Sequence, residues 1–227
     1  PAENLACDEA LLDFSEENGG PEILRLWEPA QYFVVVGYAN KVELEVNIEN
    51  CSAKQIPILR RCSGGGAVVQ GPGCLNYSLV LNFTENHLLQ TITQTNGFVM
   101  ERHREALQTH WGTAAIIKGH TDLAVGLLKF SGNAQRRRKN FLLFHGTFLL
   151  DFKIREIEEL LKMPSKQPTY REGRSHEKFL MNLRRPPEEL KLLLREVWDA
   201  ADQLEFVPHF AKLLGEKYSR NDWNFKF

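Results

Sequence analysis

Between Ile23 and Phe152 the chain is a series of short apolar runs set apart by glycine, proline and asparagine, and after Phe152 helical spacing takes over. Ile23–Trp27, the continuous YFVVVG of Tyr32–Gly37, Pro57–Arg61, Ala67–Gln70, Leu75–Phe83, Ala114–Lys118, Asp122–Val125, Leu127–Ser131 and Phe141–Phe152 read as strands. Leu5, Ala6, Ala10, Leu11, Leu12 and Phe14 form a stripe that predicts a helix over residues 3–17, stopped by Asn18-Gly19-Gly20-Pro21. Leu88–Trp111 reads as a second, long helix. Ile154–Lys162, Pro187–Leu204 and Pro208–Tyr218 read as a terminal set. Lys41–Lys54 fits helix or loop, and Met163–Arg174 fits an extended, mobile polar connection. Runs of strands followed by runs of helices predict an α+β fold with mixed, largely antiparallel sheets and flanking helices. No repeat or break in composition divides residues 1–227, which read as a single domain.

Charge and cysteine usage narrow the function classes. With 28 Lys+Arg against 29 Asp+Glu, the chain lacks the basic excess that an extended phosphate surface needs, so nucleic acid is not the expected partner. No run approaches membrane-spanning length, and no membrane partner is expected. Cys7, Cys51, Cys62 and Cys74 have neither CxxC pairing nor zinc-ligand spacing; they read as reduced thiols of a cytoplasmic protein. Nothing in the composition signals an oligomer, and a monomer is expected. The basic cluster QRRRK at 135–139 fits either a solvated loop or a patch that steers an acidic partner.

Two segments concentrate chemistry. In Arg60-Arg61-Cys62-Ser63-Gly64-Gly65-Gly66-Ala67 the glycines permit positive φ and close approach of N–H groups, and the arginines can neutralise an anion. The same triplet would also serve as a plain tight turn. It is neither a phosphate-binding Walker loop nor a dinucleotide fingerprint, because no GK[ST] and no GxGxxG is present. The second segment is Asp122, then Lys129 entering a small-residue turn (Ser131, Gly132, Asn133, Ala134), then His145-Gly146-Thr147. A lysine fixed beside small residues can hold a phosphate or polarise a carbonyl. A solvated lysine and a core histidine are the plainer readings.

In order along the chain, RRCSGGGAV (60–68), GCLNYS (73–78), TDLAV (121–125), KFSGNAQ (129–135) and HGTFLLD (145–151) resemble the motif series of the lipoate-protein ligase A family. NLACDEALL (4–12), LWEP and VVVGYAN (26–40) and KYSRNDWNF (217–225) fit it too, so the resemblance covers nearly the whole chain. It implies the biotin/lipoyl protein ligase catalytic fold, which is class II synthetase-like. It also implies attachment of a lipoyl or octanoyl group to a lysine of a lipoyl domain, through lipoyl-AMP made from ATP and lipoate.

By motif, Lys129 would be the catalytic lysine at the acyl carbonyl and phosphate. Arg61, Ser63, Gly64, Gly65, Gly66, Ala67, Asn76, Ser131, Gly132, Asn133, Ala134, His145, Gly146 and Thr147 would line the acyl-adenylate pocket. Trp27 and Val36 would wall the acyl chain, and Asp122 would sit at the adenylate or its Mg2+. The implied partners are lipoyl-domain acceptors, namely 2-oxoacid dehydrogenase subunits and the glycine cleavage carrier protein. The chain stops at the family's WN motif, so the accessory domain of the longer ligases is expected to be missing or supplied by a separate partner. Val69-Gln70-Gly71-Pro72-Gly73 stands where ligases carry a His-Asp pair and is closer to the octanoyltransferase string; Thr121 stands where the family often has Asn. Octanoyl or lipoyl transfer from a protein donor, and a non-catalytic acyl-binding homologue, therefore remain as alternatives.

Overall fold

The computed structural model describes residues 1–204 and 210–227. Among these residues nine strands form two sheets. They are β1 (Ile23–Trp27), β2 (Phe33–Val36), β3 (Ile58–Arg60), β4 (Val68–Gln70), β5 (Cys74–Asn82), β6 (Ala115–Lys118), β7 (Asp122–Val125), β8 (Leu128–Arg137) and β9 (Phe141–Leu149). The large sheet runs β1-β5-β9-β8-β7-β6 and is antiparallel throughout. The small sheet runs β3-β2-β4, with β2 parallel to β3 and antiparallel to β4.

Helix α1 (Ala2–Asn18) ends on Gly19 in the left-handed conformation, as the Asn-Gly-Gly stop requires. Two short helices, α2 (Val42–Glu45) and α3 (Ile48–Ala53), precede β3, and α4 (Ile92–Trp111) follows β5. The terminal helices are α5 (Arg155–Leu160), α6 (His176–Phe179), α7 (Pro187–Val197), α8 (Phe210–Leu213) and α9 (Asn221–Asn224), with a π-turn at Leu214–Tyr218.

Alternation along the central strands puts two different environments on the two faces of the large sheet. Leu75, Tyr77, Leu79, Phe144 and Phe148 face α4 and α7 in the principal core. On the opposite face, Val80, Leu143 and Phe141 pack on α1. Cys74 and Leu149 pack with Val34, Val36 and Val69 of the small sheet. Between those two apolar zones lies a polar floor made of Asn76 and Ser78 on β5 and His145 and Thr147 on β9.

Several boundaries differ from the sequence reading. The long helix begins at Ile92, not Leu88, because Thr91 and Gln94 close a reciprocal capping box there; a 3-10 turn at His87–Leu89 precedes it. α7 stops at Val197 rather than Leu204. The helix expected from Pro208 starts outside the described residues and is described from Phe210. Ser131–Ala134 are not a turn: β8 continues to Arg137, and small residues are required in that strand by what crosses it. The connection at 163–174 is not merely extended. It holds a 3-10 turn at Thr169–Arg171, with Arg171 buried and its Nε donating to the Arg174 carbonyl.

Glycine positions separate space from strain. A Cβ at Gly146 would fall 1.6 Å from Asn133 Oδ1, whereas one at Gly97 inside α4 meets nothing. Gly97→Ala is expected to stabilise the fold by about 0.5–1 kcal/mol, and Gly146→Ala to destabilise it by about 3 kcal/mol, read by urea melts. Equal effects of the two substitutions would contradict this packing.

Candidate functional site

The site is built on the polar floor, and a β-bulge aims its lysine. Leu123 pairs with Ser131 while the next residue, Ala124, pairs with Lys129, so Phe130 is extra in β8. The bulge turns Lys129 onto the same face as Gly132. There Lys129 Nζ lies 2.7 Å from Asp122 Oδ1, and Tyr170 donates to Asp122 Oδ2 at 2.8 Å. A Cβ on Gly132 would come within 2.7 Å of Lys129 Nζ and 2.8 Å of its Cε. Glycine at 132 is therefore what lets the lysine lie across the strand. Burial, then the charge of Asp122, raises the Tyr170 phenol well above its usual range, so it stays a donor.

Cross-strand pairing extends this into a row: Gly132 opposes Thr147, Thr147 opposes Asn76, and Asn76 opposes Trp27. Three strand spacings, about 14 Å, thus separate the Lys129 end from Trp27. Thr147 donates to Asn76 Oδ1 at 2.5 Å, and Gln70 Nε2 from the small sheet donates to Thr147 Oγ1 at 2.6 Å. Trp27 Nε1, Asn76 Nδ2 and Gln70 Oε1 are buried without a partner among the described residues. Phe33, Val35 and Val68 pack around Trp27. Val36, expected on the acyl wall, lies on the other face of β2 in the core with Val34 and Leu149. One step along a strand reverses the face, so Val35, not Val36, lies on the Trp27 side of β2.

A second row lies about 7 Å along the strands, two residues away: Ala134, His145, Ser78 and Arg25. The glycine loop covers it. Arg61, 8% exposed, sends Nε to Ser63 Oγ (3.1 Å) and Gly64 O (3.1 Å), and Nη2 to Gly64 O (2.6 Å) and Gly66 O (2.8 Å). Gly65, at φ +89°, lets the guanidinium pass, since a Cβ there would sit 2.8 Å from Nη2. Burial lowers the Arg61 pKa to about 10, and no carboxylate pairs with it among the described residues. Gly64 and Gly66 face open space, and Ala67 leads into β4. Arg60, by contrast, is spent on structure: its fork donates to the carbonyls of Gly37, Tyr38, Asn40, Trp223 and Asn224.

Beneath the loop, Ser63 Oγ is 2.6 Å from His145 Nε2, and His145 Nδ1 is 3.4 Å from Asp8 Oδ2. Asp8 also accepts from Arg25 Nη1 at 2.7 Å. Burial alone would raise the Asp8 pKa, but the His145 hydrogen bond and the Arg25 and His145 charges outweigh it and hold the carboxyl below its ordinary value.

The remaining expected site residues face away. Ser131, Asn133 and Gly146 lie on the α4 side, where Asn133 accepts from Tyr77 OH (2.6 Å) and donates to Thr121 O (2.6 Å). Gly146 supplies the space that this asparagine occupies. The QRRRK arginines are not a free basic patch. Arg136 covers Tyr38, Arg137 covers Phe83 and donates to Leu89 O, and Arg138 pairs with Asp13. Two cavities of about 580 and 380 Å3 open elsewhere, beside Phe98 and Arg102.

Sequence reasoning missed Asp8, Arg25, Gln70, Ser78 and Tyr170. Asp8 had a signal, because it falls three residues after Leu5 and four before Leu12 on the apolar stripe of α1. Tyr170 had none.

Residues 1–196 match the family model described as lipoyl protein ligase A/B catalytic domain, and the chain belongs to that family. A lipoate-protein ligase A homologue from Aeropyrum pernix is 35% identical over 165 residues, which cover 71% of this chain and 58% of the relative. The chain thus spans little more than half the length of that relative. An octanoyltransferase LipM of Bacillus subtilis is 25% identical across 100% of this chain and 94% of its own length. A bi-partite lipoate protein ligase from Thermoplasma acidophilum shares the fold, with a TM-score of 0.84 at 23% identity over 99% of this chain and 91% of its own. Ligases and transferases both occur among the relatives. No helix among the described residues is long and apolar enough to cross a membrane.

The depressed Asp8 pKa fixes the sign of a pH effect. Its ionised form stabilises the fold above the ordinary carboxyl pKa, and that contribution is lost as pH falls through the lower folded value. Asp8→Asn is expected to be less stable than wild type at pH 7 and to show a flatter acid limb in urea melts from pH 7 to 2. Parallel curves would contradict the Asp8–His145–Arg25 assignment.

Proposed function

We propose that the chain attaches a lipoyl or octanoyl group to a lysine of a lipoyl domain by way of an acyl-adenylate. One observation carries this reading. The Lys129 ammonium and the Arg61-held glycine loop face neighbouring rows of one sheet surface, and an apolar end at Trp27 lies about 14 Å from the lysine, the scale of an extended lipoyl group. An acid with an anionic head and a long apolar tail fits that polarity.

In the first step the lipoate carboxylate attacks the α-phosphorus of ATP and pyrophosphate departs. Lys129 offsets charge on the carboxylate and phosphate oxygens, and loop N–H groups are available to the phosphate. In the second step the acceptor amine attacks the acyl carbonyl, Lys129 supports the developing oxyanion, and AMP leaves. Trp27 walls the tail beside Phe33, Val35 and Val68, and Trp27 Nε1, Asn76 Nδ2 and Gln70 Oε1 in the same region are buried without a partner among the described residues.

The Asp122 carboxylate oxygens already serve Lys129 and Tyr170. Among the described residues no cluster of three His, Cys, Asp or Glu side chains forms a metal site. That donor set does not fit an ion held by the protein, and magnesium would have to come with the nucleotide phosphates. Acceptors of this chemistry are lipoyl domains of 2-oxoacid dehydrogenase subunits and the glycine cleavage carrier protein. The transferase alternative differs in its acyl donor and uses the same tail and lysine positions.

Mass spectrometry of a lipoyl domain incubated with the chain, ATP and lipoate tests the reading, with preformed lipoyl-AMP as a parallel donor. Transfer from lipoyl-AMP is expected. Lys129→Ala should lower it about 100- to 1000-fold, and Gly132→Ala, which displaces Nζ, at least about 10-fold, with unchanged circular dichroism. Undiminished transfer by folded Lys129→Ala would overturn the assignment.

A further inference from the structure

We propose that Ser63 is an acyl-accepting nucleophile, activated by His145 and Asp8, that takes an acyl group from a carrier thioester without ATP. The geometry is a nucleophile, a base and an orienting acid in line. Ser63 Oγ lies 2.6 Å from His145 Nε2, and His145 Nδ1 lies 3.4 Å from Asp8 Oδ2. A carboxylate only accepts, so Nδ1 carries the proton in the neutral ring and Nε2 is left to accept from the serine hydroxyl. Arg61 Nε donates to the same Oγ at 3.1 Å and favours negative charge on it.

Placement relative to Lys129 gives this arrangement a reacting position. His145 opposes Ala134, and Gly132, which lies against Lys129 Nζ, is two residues along the same strand. The separation is about 7 Å, so a carbonyl carbon between the rows can lie near Ser63 Oγ with its oxygen toward the Lys129 ammonium. Ser63 is buried beneath the loop, but Gly64 and Gly66 border open space, which leaves the loop room to lift.

The thiols offer no equivalent. Burial pushes the Cys62 and Cys74 pKa values up to about 12 and raises those of Cys7 and Cys51. None of the four is hydrogen-bonded to a histidine among the described residues, and no cysteine follows Cys74.

The reaction balances without an external oxidant or nucleotide. Ser63 Oγ attacks the thioester carbonyl as His145 Nε2 takes the hydroxyl proton. The C–S bond then breaks and His145 returns that proton to the thiolate, leaving an oxoester on Ser63 and a free thiol. In the second half a neutral acceptor amine attacks the ester, His145 takes its proton, the C–O bond breaks, and the proton restores the serine hydroxyl as the amide forms. Only this second half rests on the acyl-transfer reading above.

The full chain is incubated with octanoyl-pantetheine, without ATP or acceptor, quenched in acid, and analysed by intact and peptide mass spectrometry. One octanoyl group on the peptide containing residues 61–66 is expected, stable to neutral hydroxylamine and lost in mild alkali. It should be absent from Ser63→Ala and reduced at least tenfold in His145→Gln. In Ser63→Cys, the second variant should the alanine protein not fold, the adduct should become hydroxylamine-labile. No adduct on wild-type protein, or an adduct on Cys62, Cys74 or a lysine, would overturn the proposal. ATP-dependent lipoylation without an ester would leave the adenylate reading standing alone. An ester without transfer to a lipoyl domain would do the reverse.

Discussion

The buried guanidinium of Arg61 organises the chemistry of the candidate site. Arg61 lies under the glycine loop with, among the described residues, only backbone carbonyls and one serine hydroxyl as partners, and it draws Gly64 and Gly66 around itself. A buried cation without a counter-ion is costly, and an anion bound beside the loop would relieve that cost. The neighbouring geometry follows from it. A Cβ on Gly37 would strike the Gly65 carbonyl at 2.1 Å, so β2 must end in glycine where the loop crosses. Arg60 faces the other way and ties the C-terminal Trp223-Asn224 segment to the same strand, fixing the loop's base.

Opposite the loop, the sheet supplies a polar strip between two apolar cores. Asn76, Ser78, His145 and Thr147 occupy successive inward positions of β5 and β9, with Cys74 and Leu149 closing one end and Val80 and Leu143 the other. Buried polar groups need partners: Thr147 finds one in Gln70 and His145 finds them in Ser63 and Asp8, each from a different element, whereas Asn76 Nδ2 and Ser78 Oγ have none among the described residues. In the proposed reading, the Trp27 end and the Lys129 end are held apart by strand spacing, not by loops. The bulge at Phe130 adds Lys129 to the strip without interrupting β8.

Much of this was legible in the chain itself. The strand runs, the glycine triplet, Lys129 before SGNA and the HGT string all mark positions that the fold brings to one surface or to the strand behind it. What escaped reading depends on three-dimensional partners. The bulge reverses face parity at one residue, so no alternation pattern shows that Lys129 and Gly132 share a side. Ser131–Ala134 look like a turn because small residues are common in turns; here Gly132 makes room for the lysine inside a strand. Arg60 and Arg61 are adjacent and alike in sequence, yet alternation sends one to the C-terminus and the other to the loop. Asp8 meets His145 across 137 residues, a contact that local spacing does not contain.

The central claim is that the loop held by Arg61 and the lysine aimed by the bulge form one acyl-adenylate site. A crystal structure of the full chain with lipoyl-AMP tests it most directly. The account expects the phosphate against residues 63–66, the dithiolane near Trp27 and Gln70, and Lys129 Nζ shifted from Asp122 to within hydrogen-bond distance of the acyl carbonyl. Adenylate bound instead beside Phe98 and Arg102, or Lys129 still on Asp122 with the ligand beyond its reach, would contradict it.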